Sequence, residues 1–247
     1  KNVDIWSARY GLESRQVAAV IANLSPQKDW FMNMSLAERI MDIHTYRQDA
    51  TADKDMDKAF NRVVMRDDKG KLIMVSKNPR KGESDKVAQT RKYREVWGLI
   101  KNAKLSDVRS LVSEKEGNLA VSIWVRMYDE AKHSRQYRMM KPTGEIIGLA
   151  MNDDGVTPAS VAWGSFTEIA KAMRVLQDGS LDSVSMSLGG AHKVRNFYNN
   201  IIAPNSNLGE VTIDTHAMAA AVFKPLSAKS YEVAHVFGGT PLAGLLG

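Results

Sequence analysis

Apolar residues recur at helical spacing near both ends of this chain, and this periodicity constrains the fold more than any other feature. The first stripe follows an i, i+3, i+4, i+7 pattern: Val17, Val20, Ile21 and Leu24. It stops at Ser25-Pro26, because proline disfavours helical backbone in the residue before it. Further stripes lie within 166–176 and 193–202. We therefore expect a mainly α fold.

Start and stop signals divide the helical segments from one another. The sequences S-L-A-E at 35–38 and S-F-T-E at 165–168 are capping boxes, which favour a helix N-terminus. Gly179 is a natural terminator for the helix that the second box opens. We also predict a short helix over 182–188, and another that begins at Asp214 and runs through Ala221.

The pattern changes between residues 49 and 157. Apolar residues alternate with other types over Leu119–Met127, which predicts a β-strand, and Leu72–Val75 predicts a shorter one. The turn sequence P-T-G at 142–144 lies between two short apolar segments and predicts a hairpin. Asp85–Ala103 has helical spacing again. We therefore predict a mixed α/β insertion over 49–157, within a helical core formed by 1–48 and 158–247.

Composition narrows the chemistry that the chain can carry. It contains no cysteine, which excludes disulfides, thiolate zinc sites and cysteine-held iron–sulfur clusters. The five histidines show no metal-ligand spacing, so we expect no metal site. The net charge of +6 favours a polyanionic partner such as nucleic acid, because neutralising phosphates releases condensed counterions.

The sequence contains no candidate membrane segment. No apolar run approaches the roughly 18–20 residues of a membrane span, and the N-terminus opens onto no signal-like apolar core. We expect a cytoplasmic protein with no membrane partner, whose oligomeric state the sequence leaves open. The Gly/Pro-rich, uncapped stretch that ends at Gly247 leads us to expect that the natural protein continues beyond it.

The sequence L-G-G-A-H-K at 188–193 predicts a phosphate-binding turn between two helices near 182–203. Glycines let backbone approach DNA closely, and free N–H groups at such a turn face phosphate oxygens. Lys193 begins the second helix and Asp214 the next, 214 − 193 = 21 residues later. That length fits one helix and a returning loop, so the two side chains could converge on one pocket. The residues expected to contact DNA here are Gly189, Gly190, Ala191, His192 and Arg195.

The G-G-A-H-K segment and I-D-T-H at 213–216 resemble motifs of the helix-hairpin-helix DNA glycosylase superfamily, which includes endonuclease III and 8-oxoguanine glycosylase. That superfamily carries G-h-G-x-K, where h is apolar, followed by a V-D-x-H segment. Here Gly190 replaces the apolar residue and Ala191 the second glycine, which puts the tightness of the hairpin in doubt. L-S-P-Q at 24–27 is similar to the superfamily's L-S-x-Q segment. Blocks at 161–166 and 192–200 also resemble phage and bacterial proteins.

The resemblance implies a mainly α, helix-hairpin-helix glycosylase-like core that acts on double-stranded DNA with a flipped base. Asp214 would stabilise the positive charge that develops on the deoxyribose, and Lys193 would form a Schiff base if the enzyme also cleaves abasic sites. Gln27 would fill the gap in the base stack. The hairpin carbonyls would be able to hold a monovalent cation, and no other cofactor is implied.

Simpler roles exist for each of these residues. Lys193 could contact only phosphate, Asp214 could be only a helix N-cap, and Gln27 could be only a loop residue. Two further functions also fit the sequence. One is a phage-type enzyme on the same scaffold that acts on hypermodified pyrimidines, because a bulky base needs the differently walled pocket that an insertion provides. The other is a non-catalytic DNA-binding module.

Overall fold

The computed structural model describes residues 2–67, 69–79, 81–141, 143, 145–190, 192–207, 211–226, 230, 231 and 233. These residues are mainly helical, which confirms the predicted fold class at that level. Ala191 and the C-terminal stretch from 234 onward lie outside the described residues, so the expectations for them stay predictions.

Ten α-helices and one two-stranded sheet are seen in the described part of the chain. The helices are α1 (Asn2–Tyr10), α2 (Ser14–Leu24), α3 (Trp30–Tyr46), α4 (Lys54–Val63), α5 (Asp85–Ile100), α6 (Gly117–Lys132), α7 (Phe166–Gln177), α8 (Leu181–Leu188), α9 (His192–Ile202) and α10 (Thr215–Ala221). Short 3-10 segments lie at Leu105–Leu111 and Glu114–Glu116. Strands β1 (Arg138–Met140) and β2 (Ile146–Leu149) pair antiparallel, as the turn sequence predicts.

Helix α2 is the centre of the molecule. Every residue from Gln16 to Leu24 is buried, and the helix contacts α1, α3, α7, α8 and α9. Its alanines, Ala18, Ala19 and Ala22, have no exposed surface and allow neighbouring helices to approach closely. The predicted end of this helix at Ser25-Pro26 is confirmed.

The segment 49–157 shares its core with the rest of the chain. Met56 and Phe60 of α4 and Trp124 of α6 belong to the same apolar cluster as residues of α2, α3 and α7. Helix α6 also packs along α7. The interpretation of 49–157 as a mixed α/β insertion within the helical core stays a prediction; its helices pack directly on the helices that flank it in sequence.

The predicted strand over Leu119–Met127 is wrong, because this segment belongs to helix α6. Val121, Ile123 and Trp124 are all buried, on different faces of the helix. A helix surrounded by protein shows no polar face, so its apolar run cannot be distinguished from a buried strand by periodicity. The side-chain hydroxyl of Ser122 donates to the Leu119 carbonyl at 2.7 Å, which removes the polar signal of that residue.

Other boundaries are partly confirmed. Ser165 caps α7 by accepting from the Glu168 N–H, as predicted. Ser35 instead lies inside α3, which begins five residues earlier because the Asp29 carboxylate accepts from the Met32 N–H. The segment 72–75 forms a single bridge, between Leu72 and Arg66, and no strand. None of the helices in the described part of the chain has the length and apolar character needed to cross a bilayer.

Asp129 on α6 is a buried carboxylate that joins several elements. Its side chain is 2% exposed and lies 3.1 Å from Nη1 of Arg39 on α3. Nε1 of Trp163, in the segment before α7, donates to Oδ2 at 2.8 Å, and Nδ1 of His133 lies 2.7 Å from Oδ1. Arg39 also donates to the carbonyls of Ser134 and Gln136. Asp129 therefore holds α3, α6 and the approaches to β1 and α7 together.

We expect Asp129→Asn to lower the free energy of unfolding by about 3–5 kcal/mol at pH 7, because it leaves buried donors and the Arg39 charge uncompensated. Burial raises the pKa of Asp129, but the hydrogen bond from His133, the Arg39 charge and the bond from Trp163 outweigh it and place the pKa below its usual value. The stabilisation is thus present above the unfolded-state pKa and is lost as pH falls through the lower folded-state pKa. Urea denaturation should show the difference from wild type narrowing below about pH 4. A difference independent of pH would contradict this assignment.

Candidate functional site

Helices α8 and α9 and the glycines between them form the predicted helix–turn–helix unit. Ser180 begins α8, since its hydroxyl accepts from the Ser183 N–H at 3.2 Å. Val184 and Leu188 of α8 and Val194 of α9 are buried in a small apolar cluster with Ala19 and Ala22 of α2 and Val175 of α7. The turn therefore lies at the protein surface, and both of its helices are fixed by packing against α2 and α7.

A buried polar contact adds to this packing. Nδ2 of Asn23 on α2 donates to the hydroxyl of Ser187 at 3.0 Å, and that hydroxyl donates to the Val184 carbonyl at 2.7 Å. Both side chains are nearly inaccessible, with 3% and 2% relative exposure. Buried polar groups are costly unless they are paired, so this contact favours one position of α8 along α2.

The turn itself requires glycine at its first position. Gly189 has φ 61° and ψ −153°, a backbone conformation that is essentially restricted to glycine. Gly190 is exposed, and a Cβ built on it would meet no atom within 4 Å. The two glycines therefore differ: Gly189 is needed for the backbone, whereas Gly190 leaves open space beside the turn. The predicted role of Ala191 falls outside the described residues.

Arg195 stabilises the turn from within. Its Nε donates to the Gly189 carbonyl, and its Nη2 donates to the carbonyl of Ser185 at 2.9 Å and to the hydroxyl of that residue at 3.2 Å. These bonds satisfy carbonyls at the C-terminus of α8, where a positive charge is also favourable. Arg195 therefore has a structural role in the turn, and its contact with DNA stays a prediction. The Gly189 carbonyl already accepts from this guanidinium, and a hairpin-bound cation stays a prediction.

The structure brings Lys193 and Asp214 together. Nζ of Lys193 lies 3.7 Å from Oδ2 of Asp214, and both side chains are about one-third exposed, at 36% and 34%. The other carboxylate oxygen, Oδ1, accepts from the Ala217 N–H at 3.0 Å and thereby caps α10. Asp214 is therefore an N-cap whose second oxygen faces the lysine at the start of α9. The pair is therefore accessible to solvent.

Two asparagines hold the Asp214 segment against α9, and sequence reasoning missed their role. Nδ2 of Asn196 donates to the Val211 carbonyl at 2.8 Å, and Nδ2 of Asn200 donates to the Thr212 hydroxyl at 2.9 Å. Lys193, Asn196 and Asn200 follow helical i, i+3, i+7 spacing and so share one face of α9. Polar residues repeated at that spacing on an amphipathic helix were the signal available in the sequence.

Basic side chains surround the turn. A Cβ on Gly189 would lie 4.0 Å from Nζ of Lys171, and Nη2 of Arg174 lies 3.7 Å from the sulfur of Met186 on α8. His192 is exposed at the start of α9. Lys171, Arg174 and Lys193 therefore bring three positively charged side chains to the neighbourhood of the turn, and positive charge favours phosphate.

Gln27 lies in the turn between α2 and α3. It is exposed and has φ 56°, an uncommon backbone conformation for a residue with a side chain. Trp30, which begins α3, is 44% exposed and meets the Phe197 ring of α9 edge-on, with 6.5 Å between ring centroids. This contact joins the Gln27 turn to the helix that carries Lys193. Trp30 is a further candidate site residue that the sequence reasoning did not single out.

No group of three or more histidine and carboxylate side chains is arranged to hold a metal ion within the described ranges. Comparison with known proteins gives one family match: residues 3–82 match a family of unknown function, DUF7178. This segment includes Gln27 and Trp30 but neither Lys193 nor Asp214. Neither the curated proteins nor the solved structures include a match to the chain.

The two glycines of the turn provide a matched test. We expect Gly189→Ala to lower the free energy of unfolding by about 1–3 kcal/mol, because alanine is strained at this φ and ψ. Gly190→Ala should change it by less than about 0.5 kcal/mol, because the added methyl group meets open space. Urea denaturation of both variants measures the difference. Equal effects would contradict the described geometry of the turn.

Proposed function

We propose that this chain is a DNA glycosylase that flips a damaged or modified base out of double-stranded DNA and cleaves its glycosidic bond. One observation carries the proposal: two residues 21 positions apart, Lys193 and Asp214, meet at 3.7 Å beside a glycine turn between two helices. Lys193 and Asp214, one residue from each of two motifs that resemble the helix-hairpin-helix glycosylases, thus lie next to each other, which supports the proposal. A glycosylase-like core is part of the same proposal.

Asp214 supplies the electrostatic part of the reaction. Breaking the bond between C1′ and the base leaves positive charge on the deoxyribose, and a carboxylate beside the sugar lowers the energy of that state. The N-cap bond to Ala217 fixes the carboxylate before substrate arrives, so little reorganisation is needed during the reaction. Water then adds to C1′, its proton leaves with the base or passes to solvent, and an abasic site remains.

Lys193 provides a second route. An uncharged Nζ attacks C1′, and the base departs with the electrons of the glycosidic bond and takes up a proton from the nitrogen. The C1′–O4′ bond then breaks, O4′ takes up the remaining proton of the nitrogen, and an imine forms between Nζ and C1′. The same residue in its ammonium form would instead contact a phosphate or neutralise Asp214. The two routes differ in whether enzyme and DNA become covalently linked.

The surroundings of the pair support a DNA substrate. The exposed turn at Gly190 allows close approach of the phosphate backbone, and Lys171 and His192 lie on the same surface. Gln27 and the partly exposed ring of Trp30 are held near α9, where an emptied position in the base stack would need to be filled. These residues would position DNA, and Asp214 would act on the sugar.

We expect Asp214→Asn to reduce base excision by at least about 100-fold, because the charge that stabilises the sugar is lost. Asparagine also caps helices well, so the free energy of unfolding should change little. Asp214→Ala, which removes charge and cap together, should be inactive and also less stable by about 1 kcal/mol. Single-turnover excision on duplexes with oxidised, deaminated, alkylated and phage-type hypermodified bases, followed by strand cleavage at the abasic site, measures the rates.

The same panel separates the alternatives. Excision confined to phage-type DNA would assign the enzyme to hypermodified pyrimidines. Salt-sensitive duplex binding without excision of any base, unchanged in Asp214→Asn, would refute the glycosylase proposal and leave a DNA-binding module.

Borohydride trapping tests the nucleophile. If Lys193 attacks C1′, sodium borohydride should reduce the imine and give a stable protein–DNA adduct that Lys193→Gln cannot form. The matched control is Lys171→Gln, which removes a neighbouring ammonium group and should retain trapping. Excision without an adduct in the wild-type protein would assign the attack to water and leave the role of Asp214 intact.

A further inference from the structure

A cleft of about 730 Å³ lies between α1, α3 and the β1–β2 hairpin. Its size is within the range of small-molecule sites. Neither Lys193 nor Asp214 is among its lining residues, so it is distinct from the site of the proposed glycosylase. Residues of α1 and α3 within the 3–82 family match form two of its walls.

A buried carboxylate and an imidazole form a fixed pair at the edge of this cleft. Asp129 is 2% exposed and ionised, and Nδ1 of His133 lies 2.7 Å from its Oδ1. Because the carboxylate only accepts, the proton of the imidazole resides on Nδ1. His133 lines the cleft, with 26% of its side chain exposed, and no described residue forms a hydrogen bond with its Nε2. The ring is also fixed by edge-on contact with Tyr128.

The charges of the cleft do not cancel. Its two carboxylates are paired with arginines, Glu38 with Arg9 at 2.6 Å and Asp42 with Arg47 at 3.5 Å. A third arginine is held by the buried carboxylate described above. Arg138, at the start of β1, is exposed, lines the cleft and forms no ion pair with another described residue. The cleft therefore retains one uncompensated positive charge and a polarised imidazole.

Aromatic and aliphatic side chains form much of the remaining wall. The Tyr10 and Tyr46 rings lie 5.9 Å apart at a tilted angle, and Tyr46 is 52% exposed. Two isoleucines also line the cleft, Ile5 of α1 and Ile146 of β2, and each is close to half exposed. Planar apolar bodies are stabilised between such side chains. The cleft thus combines apolar walls with a localised positive charge.

We propose that this cleft is a second binding site, for a small ligand that carries one anionic group on a planar aromatic body. Arg138 binds the anionic group, whereas Nε2 of His133, which carries a lone pair, accepts a hydrogen bond from an N–H or O–H group of the ligand. Asp129 fixes the imidazole from behind. The aromatic body lies between Ile5, Ile146 and the tyrosine pair. A nucleoside monophosphate and an aromatic carboxylate share this chemistry.

Calorimetric titration of the full chain tests the site. The probes are the four deoxynucleoside 5′-monophosphates, the corresponding nucleosides, indole-3-acetate and inorganic phosphate. At least one aromatic anion should bind at least about tenfold more tightly than both its uncharged counterpart, the nucleoside or indole-3-acetamide, and inorganic phosphate, as expected for one charge-assisted hydrogen bond. Whether the monophosphates or the carboxylate bind more tightly identifies the anionic group.

Matched variants assign the contacts. Arg138→Gln should weaken binding of the anionic probe about tenfold. The matched control is Arg66→Gln, which should not weaken it, because Arg66 is also exposed but does not line the cleft. His133→Asn retains a donor near Nδ1 but removes Nε2, and should weaken binding to a similar extent without unfolding the protein. Asp214→Asn should leave binding unchanged, which keeps this proposal separate from the glycosylase. Absence of binding by every aromatic anion, or binding unaffected by Arg138→Gln and His133→Asn, would overturn it.

Discussion

Burial of residues 16–24 of helix α2 is the constraint on which the other elements depend. A helix enclosed on every side can pack only against neighbours that match its surface, and small residues such as Ala18 and Ala22 bring those neighbours close. The hydrogen bond between Asn23 of α2 and Ser187 of α8 fixes how far α8 lies along α2, because apolar contacts alone would allow the two helices to shift past each other. Helix α8 is thereby fixed, and with it the turn that follows. The position of the candidate site is thus determined in the interior.

The molecule has two separate polar clusters, each centred on a carboxylate and a basic side chain. One, around Lys193 and Asp214, is built on short helices at the C-terminal side and faces a basic surface. The other, around Asp129 and His133, joins the middle of the chain to α3 and opens into the cleft. In each, a carboxylate is held by backbone or side-chain donors and faces a basic group. A carboxylate next to a basic group thus occurs at two places, one beside an exposed turn and one at the edge of a cleft.

Much of the helical architecture could be predicted, because amphipathic helices at the periphery keep a polar face and recognisable ends. Helices α7 and α9 follow from their stripes, and α8 was predicted as a short helix. Helix α2 was predicted although it is buried, because its larger apolar residues recur at helical spacing among alanines. Helix α6 could not be predicted, because its apolar residues lie on several buried faces and show no helical period. The start of α3 was misplaced at Ser35, because a capping-box sequence can lie inside a helix that begins after Asp29. Proximity of Lys193 and Asp214 was inferable from the motifs. The role of Trp30 was not, because its contact with Phe197 joins elements distant in sequence.

The asparagine contacts on α9 have a consequence for how such sites vary. Asn196 and Asn200 fix the segment just before Asp214, so the position of its carboxylate depends on that docking and little on the chain between Ile202 and Val211. Lengthening a surface connection costs only about 0.6 kcal/mol for each doubling of its length. Insertions and deletions in this connection should therefore accumulate without displacing the carboxylate. In related chains, the spacing between the lysine and the aspartate would then be a poor criterion for recognising the site, and the two asparagines a better one.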